Sequence, residues 1–141
     1  MNSSSDAAET IVRMSLQGTE IALRVTGTAA KNIGAILMAV SKDKTKTKGK
    51  TTLNNMLKSG SQLKVFSLKK EDLKKFVKEA KKYGVLYHVL VNRKQTRKDG
   101  LVDLLVRAED APKINRIFER FGFKPFERAS INNDESKLKS K

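Results

Sequence analysis

The stretch Gln62–Val91, QLKVFSLKKEDLKKFVKEAKKYGVLYHVLV, decides how the rest of the chain is read. Its apolar spacing changes twice. Leu63, Val65 and Phe66 sit in a short strand over Gln62–Leu68, where successive side chains point to opposite faces. From about Lys70 to Tyr83 the spacing becomes three and four, which puts Leu73, Phe76, Val77 and Ala80 on one helical face. Ser67 or a polar neighbour precedes that helix, and Gly84 is placed to stop it. Val85–Val91 returns to strand. There Val85, Tyr87, Val89 and Val91 share one side and Leu86, His88 and Leu90 the other, so both sides should be covered.

Downstream, Leu101–Arg107 (LVDLLVR) reads as an antiparallel partner, reached through the turn dipeptide Asp99-Gly100. Asp110 is expected to cap a last helix with Pro112 in its first turn. Ile114, Ile117, Phe118 and Phe121 would face inward, with Gly122 at the end. The order is β-α-β-β-α. It predicts a three-stranded sheet with both helices on one face, a truncated relative of the ferredoxin-like arrangement. Two of its strands run parallel through a right-handed crossover. Residues 124–141 read as a flexible polar tail.

Upstream, residues 6–42 read as helix. Asp6 and Glu9 resemble a capping box, and Ile11, Met14, Ile21, Val25, Ile33, Ile36 and Val40 mostly follow helical steps. Gly18, Ala22, Thr26, Ala30 and Gly34 form a second stripe of small residues at every fourth position. Such a row lets another backbone approach closely, in a helix pair within the segment or with a partner chain. Its glycines could equally break the segment into a hairpin of two helices. Lys42–Lys50 (KDKTKTKGK) is a cationic linker, and Thr51–Lys58 a short helix with Leu53, Met56 and Leu57 inward. The fold class is therefore α+β. Residues 1–43 form a helical arm, 44–60 the linker and short helix, 61–123 the βαββα domain and 124–141 the tail.

Of the net charge of +15, +13 lies between Lys44 and Gly100, while residues 1–43 sum to zero. A cationic middle of this kind selects polyanionic partners: DNA, RNA or an acidic protein surface. The chain has no cysteine, which excludes disulfides and thiolate metal sites. Met1–Asp6 lacks the basic start and apolar run of a secretory signal, and no uncharged run approaches a membrane span. A cytoplasmic protein is expected.

Catalytic chemistry finds little support. Thr45–Thr52 (TKTKGKTT) resembles a phosphate-binding loop, but Lys44 stands where the motif needs glycine and no strand leads into it. His88 is the single histidine, lies in an apolar strand and reads as a packing residue. Tyr83 and Tyr87 read as core. Asp103, Glu109, Asp110 and Glu119 suggest no opposed acid and base, and Glu119 can pair with Arg116 or Arg120. No enzyme, cofactor or metal is expected.

Two sets of cations are candidates for polyanion binding. Lys70, Lys74, Lys78 and Lys82 recur every four residues away from the apolar helix face, and Arg93, Lys94, Arg97 and Lys98 lie on the hairpin connection. They would give salt-sensitive, sequence-independent phosphate contacts. Phe66, Phe76, Phe118 and Phe121 read as buried, so stacking on single strands is not expected.

Residues 49–123 carry a resemblance. GKTTLNNMLKSGSQLKVFSL, EAKKYGVLYHVLV and RAEDAPKINRIFERFG are similar to the PcfB-like family, small proteins encoded in conjugative transfer regions of Gram-positive plasmids and integrative elements. Lys81–Tyr87 and Ala108–Gly122 are the most specific parts. The resemblance implies a non-enzymatic adaptor that helps dock the relaxase–DNA substrate at the coupling ATPase of a type IV secretion apparatus, in the cytosol near the membrane channel. It carries no catalytic residues. On this reading the small-residue row makes an oligomer or partner contact, and the basic domain meets acidic protein or DNA backbone. The alternative is a sequence-nonspecific DNA- or RNA-binding protein acting in relaxosome assembly or regulation.

Overall fold

A computed structural model describes residues 8–16, 18–42, 53–58, 62–90 and 100–133. The described chain begins with a β-hairpin. β1 (Glu9–Leu16) and β2 (Thr19–Thr26) pair antiparallel along their full length, with Leu16 opposite Thr19. The reversal uses Gly18 at φ +83°, a backbone region open to glycine at little cost. Helix α1 (Ala30–Lys42) follows, then the short α2 (Leu53–Lys58).

The expected helical arm over residues 6–42 is thus wrong for most of its length. Thr10, Ile11, Val12, Thr19, Ile21, Val25 and Thr26 are β-branched and suit a pleated surface. Val12 and Met14, then Leu23 and Val25, are buried at period two on one face of the hairpin, and Ala22 is buried on the other. The helical stripe mixed the two faces, because Ile11 lies on the side opposite Val12. The small-residue row dissolves with it. Gly18 is in the turn, Ala22 and Thr26 are in β2, and Ala30 and Gly34 are in α1.

β3 (Leu63–Lys69), α3 (Lys70–Tyr83), β4 (Tyr87–Leu90), β5 (Leu101–Arg107), α4 (Ala111–Phe121) and β6 (Phe126–Asn133) complete the chain. The sheet has six strands in the order β1-β2-β6-β3-β5-β4, and every neighbouring pair is antiparallel. This replaces the expected three-stranded sheet. β3 and β4 both run opposite to β5, so they are parallel to each other, as the β-α-β reading required. β6 pairs with β3, which closes a β-α-β-β-α-β unit in the split, ferredoxin-like order. Residues 126–133 of the supposed tail are therefore a central strand, buried through Ala129 and Ile131.

Both faces of the sheet are covered. α1 and α2 pack on one face with Val12, Leu23, Val25, Leu63, Val65, Leu105 and Ile131. Met56 and Leu57 face inward from α2, as the sequence indicated. α3 and α4 pack on the other face with Leu68, Tyr87, Leu104 and Val106. The expectation of cover on both sides of the second domain strand holds: Tyr87 belongs to one layer and Leu90 to the other.

Candidate polyanion-binding face

α3 begins without a side-chain cap. Lys69, in extended conformation (φ −61°, ψ 141°), holds the N-cap position, and Glu71 and Asp72 in the first turn face the positive end of the helix dipole. Ser67 does not lead into the helix. It lies within β3, and its hydroxyl donates to Asp103 Oδ1 at 2.8 Å. The far end stops at Gly84 (φ +70°), whose N–H caps carbonyls of the last turn. Phe76 and Ala80 are buried, and Leu73 and Val77 are half-buried against the same cluster.

That orientation sends Lys70, Lys74, Lys78 and Lys82 into solvent, with Lys75 and Lys81 beside them. Among the described residues only Lys82 of this row makes an ion pair, 3.3 Å from Glu79. Glu79 is buried at 6% exposure, and its other oxygen lies 3.7 Å from Arg120 of α4. One carboxylate thus ties the two outer helices together. Lys113, Arg116, Arg120 and Lys124 are exposed on and just after α4. Arg93, Lys94, Arg97 and Lys98 lie outside the described residues, as do Lys44–Lys50. The described chain re-enters at Gly100, whose carbonyl accepts from Lys70 N–H at 3.0 Å.

Several smaller expectations are corrected. Asp110 makes no side-chain cap to α4; Arg107 grips its carboxylate, Nε and Nη2 each 3.0 Å away. Phe121 is 38% exposed, stacked on Phe123 with ring centres 5.5 Å apart, with the Arg120 guanidinium 5.6 Å from its centroid. Tyr83 is also exposed, whereas Tyr87 is buried, which pushes its phenol above the usual value of 10.0. Phe118 is the aromatic hub, meeting Phe66, Phe76 and Phe123 within about 6 Å. His88 is 1% exposed and opposite Leu105. Among the described residues no cluster of three histidine, aspartate or glutamate side chains is placed to hold a metal ion. Among them, too, no helix is long and apolar enough to cross a membrane.

The family described as "Protein of unknown function (DUF3801)" matches residues 28–141. The chain belongs to this family. The DUF3801 match takes in α1, α2 and the whole β3–β6 unit with its lysine face, while β1 and β2 precede it. No curated protein and no solved structure matches the chain.

Also within the DUF3801 span is a buried polar centre that sequence reading missed. Asp103, 3% exposed, accepts from Ser67 and lies 3.3 Å from Arg128 Nε. Ser67 and Asp103 stand directly opposite in the β3–β5 register. The legible signal was a lone aspartate within LVDLLVR and a lone serine within KVFSL. Arg128 is hard to find in the sequence because its strand, FERASINN, carries little apolar alternation.

Proposed function

We propose that the chain is a non-enzymatic accessory protein of conjugative DNA transfer whose α3 surface docks a polyanion. The observation that carries the docking role is the row Lys70, Lys74, Lys78 and Lys82, exposed on one helix and largely without internal counter-charge. Placing the protein in conjugation rests on the resemblance of residues 49–123 to the PcfB-like family. On this account the coupling ATPase or relaxase supplies the acidic surface, and the protein works in the cytosol beside the channel. The test is affinity capture from cells carrying the element, followed by nuclease. Retention of a coupling ATPase or relaxase after nuclease supports the adaptor; loss of everything bound with the DNA overturns direct docking.

A second reading, direct nucleic-acid binding in relaxosome assembly, is favoured by the Lys70–Gly100 hydrogen bond. It holds Gly100, the residue that ends the basic 92–100 stretch of sequence, beside the first lysine of the row. A cationic stretch that leads in sequence to Gly100, added to the exposed lysine row, suits a phosphate backbone.

A further inference from the structure

The two edges of the sheet differ. β4 ends one side with four residues, and short edge strands resist pairing with other chains. β1 ends the other with eight, paired to β2 residue for residue with no bulge. It contains no proline, and its outer side has no strand partner among the described residues.

The backbone direction on this edge is fixed by one hydrogen bond. Gly27 N–H donates to Ala8 C=O at 3.1 Å, so the polar groups of Ala8, Thr10, Val12 and Met14 point toward β2. Those of Glu9, Ile11, Arg13 and Ser15 point away from the molecule. The side chains of these four also share one face. Glu9 and Arg13 are exposed and Ile11 is half-buried between them.

We propose that β1 pairs antiparallel with β1 of a second copy across a two-fold axis at Ile11, joining two six-stranded sheets into one of twelve. The charge pattern selects this register. Centred on Ile11, each Glu9 lies opposite Arg13 of the other copy, and the two isoleucines meet on the axis. Centring on Glu9 or Arg13 would oppose like charges instead, which destabilises a cross-strand pair. Arg13 makes no ion pair among the described residues, and Glu9 is held 3.1 Å from Arg24. The second copy's arginine would complete a chain of alternating charge, Arg24–Glu9–Arg13. On the opposite face Thr10 meets Val12 of the second copy, so the layer under α1 continues across the junction. The contact is isologous and closes at two subunits.

The absence of cysteine makes the register directly testable. In the full-length chain, Ile11→Cys places two thiols on residues whose Cα atoms are about 5.5 Å apart, within disulfide reach. Arg13→Cys places them four positions out of register, roughly 13 Å apart. Mild oxidation should therefore give covalent dimer from Ile11→Cys and little from Arg13→Cys. Light scattering of the wild-type chain should give twice its 15.8 kDa mass. Arg13→Glu should raise the dimer dissociation constant about tenfold or more, since both symmetric pairs become repulsive. Glu9→Arg combined with Arg13→Glu should restore it. A monomer at high micromolar concentration, equal cross-linking of the two cysteine variants, or a dimer indifferent to Arg13→Glu would each overturn the proposal. Circular dichroism of every variant separates lost pairing from lost folding.

Discussion

Gly34 of α1 lies against Thr10 of β1 so closely that a Cβ on the glycine would stand 2.7 Å from the threonine Cγ2 and 3.2 Å from Val12 Cγ2. The absent side chain sets how near the helix comes to the hairpin. Gly34→Ala should gain up to about 1 kcal/mol of helix propensity and lose more to overpacking. The expected net loss is about 1 kcal/mol by urea unfolding. Thr10→Ser removes the clashing methyl, so in that background Gly34→Ala should be neutral or stabilising. A loss of the same size in both backgrounds would show that another contact limits the approach.

Gly27 is under stricter control. Its φ is +128°, and a Cβ there would meet the Arg128 carbonyl oxygen at 2.6 Å and Ala129 Cα at 2.8 Å. Both are backbone atoms of the strand beside it, and Ala29 N–H also donates to the Arg128 carbonyl. Gly27→Ala should cost about 3 kcal/mol or more. Gly18→Ala, also at positive φ but in open space, should cost about 1 kcal/mol. Thermal melts of the pair should rank them in that order.

Asp103 is the acceptor of the buried polar centre. Asp103→Ala leaves Ser67 and Arg128 inside without it, and should destabilise by about 2–4 kcal/mol. Ser67→Ala removes a single neutral donor and should cost about 1 kcal/mol. Chemical denaturation with a shared slope would measure both.

Tyr87 gives the protein a sensitivity to alkali. Burial raises its phenol pKa above the unfolded value of 10.0. The unfolded chain then loses this proton first, so stability is full below about pH 10 and falls as pH rises through the folded value. Tyr87→Phe should flatten this limb relative to wild type. Parallel unfolding curves at pH 8 and pH 11 would show the difference.

Lys70, Lys74 and Lys78 contribute little to the fold, and their joint change to alanine should leave the melting temperature nearly unaltered. If α3 meets phosphate, the same variant should lower DNA affinity and flatten its salt slope by up to about 0.9 per lost contact. The corresponding change of Arg93, Lys94, Arg97 and Lys98 measures the connection separately. An unaltered slope in the lysine variant would assign the row to acidic protein surfaces.

The domain between Leu63 and Phe121 was legible because each element carries its own stop: Gly84 and Gly122 end their helices at φ +70° and +68°. The hairpin was not. Ile11, Met14, Ile21 and Val25 satisfy helical steps by coincidence, since a two-residue reversal at Gly18 shifts one strand's alternation against the other's. β6 was illegible for another reason. FERASINN has only Ala129 and Ile131 as its buried pair, and its partners β2 and β3 lie far away in sequence. The lysine row was readable from its period of four alone. Its neighbour Glu79 was not, because the pairing with Arg120 depends on how α3 and α4 lie side by side.

β6 sits between β2 and β3, with Val25 opposite Ile131 on one side and Val65 opposite Ala129 on the other. The last strand among the described residues is therefore the seam that joins the β1–β2 hairpin to the rest of the sheet. Until it is in place, β2 and β3 have no hydrogen-bonded connection, and the closure spans more than a hundred residues from Leu23 to Asn133. Assembly on this plan depends on a pairing distant in sequence. Damage at Ala129 or Ile131 would part the molecule down its middle, where a tail would merely have frayed.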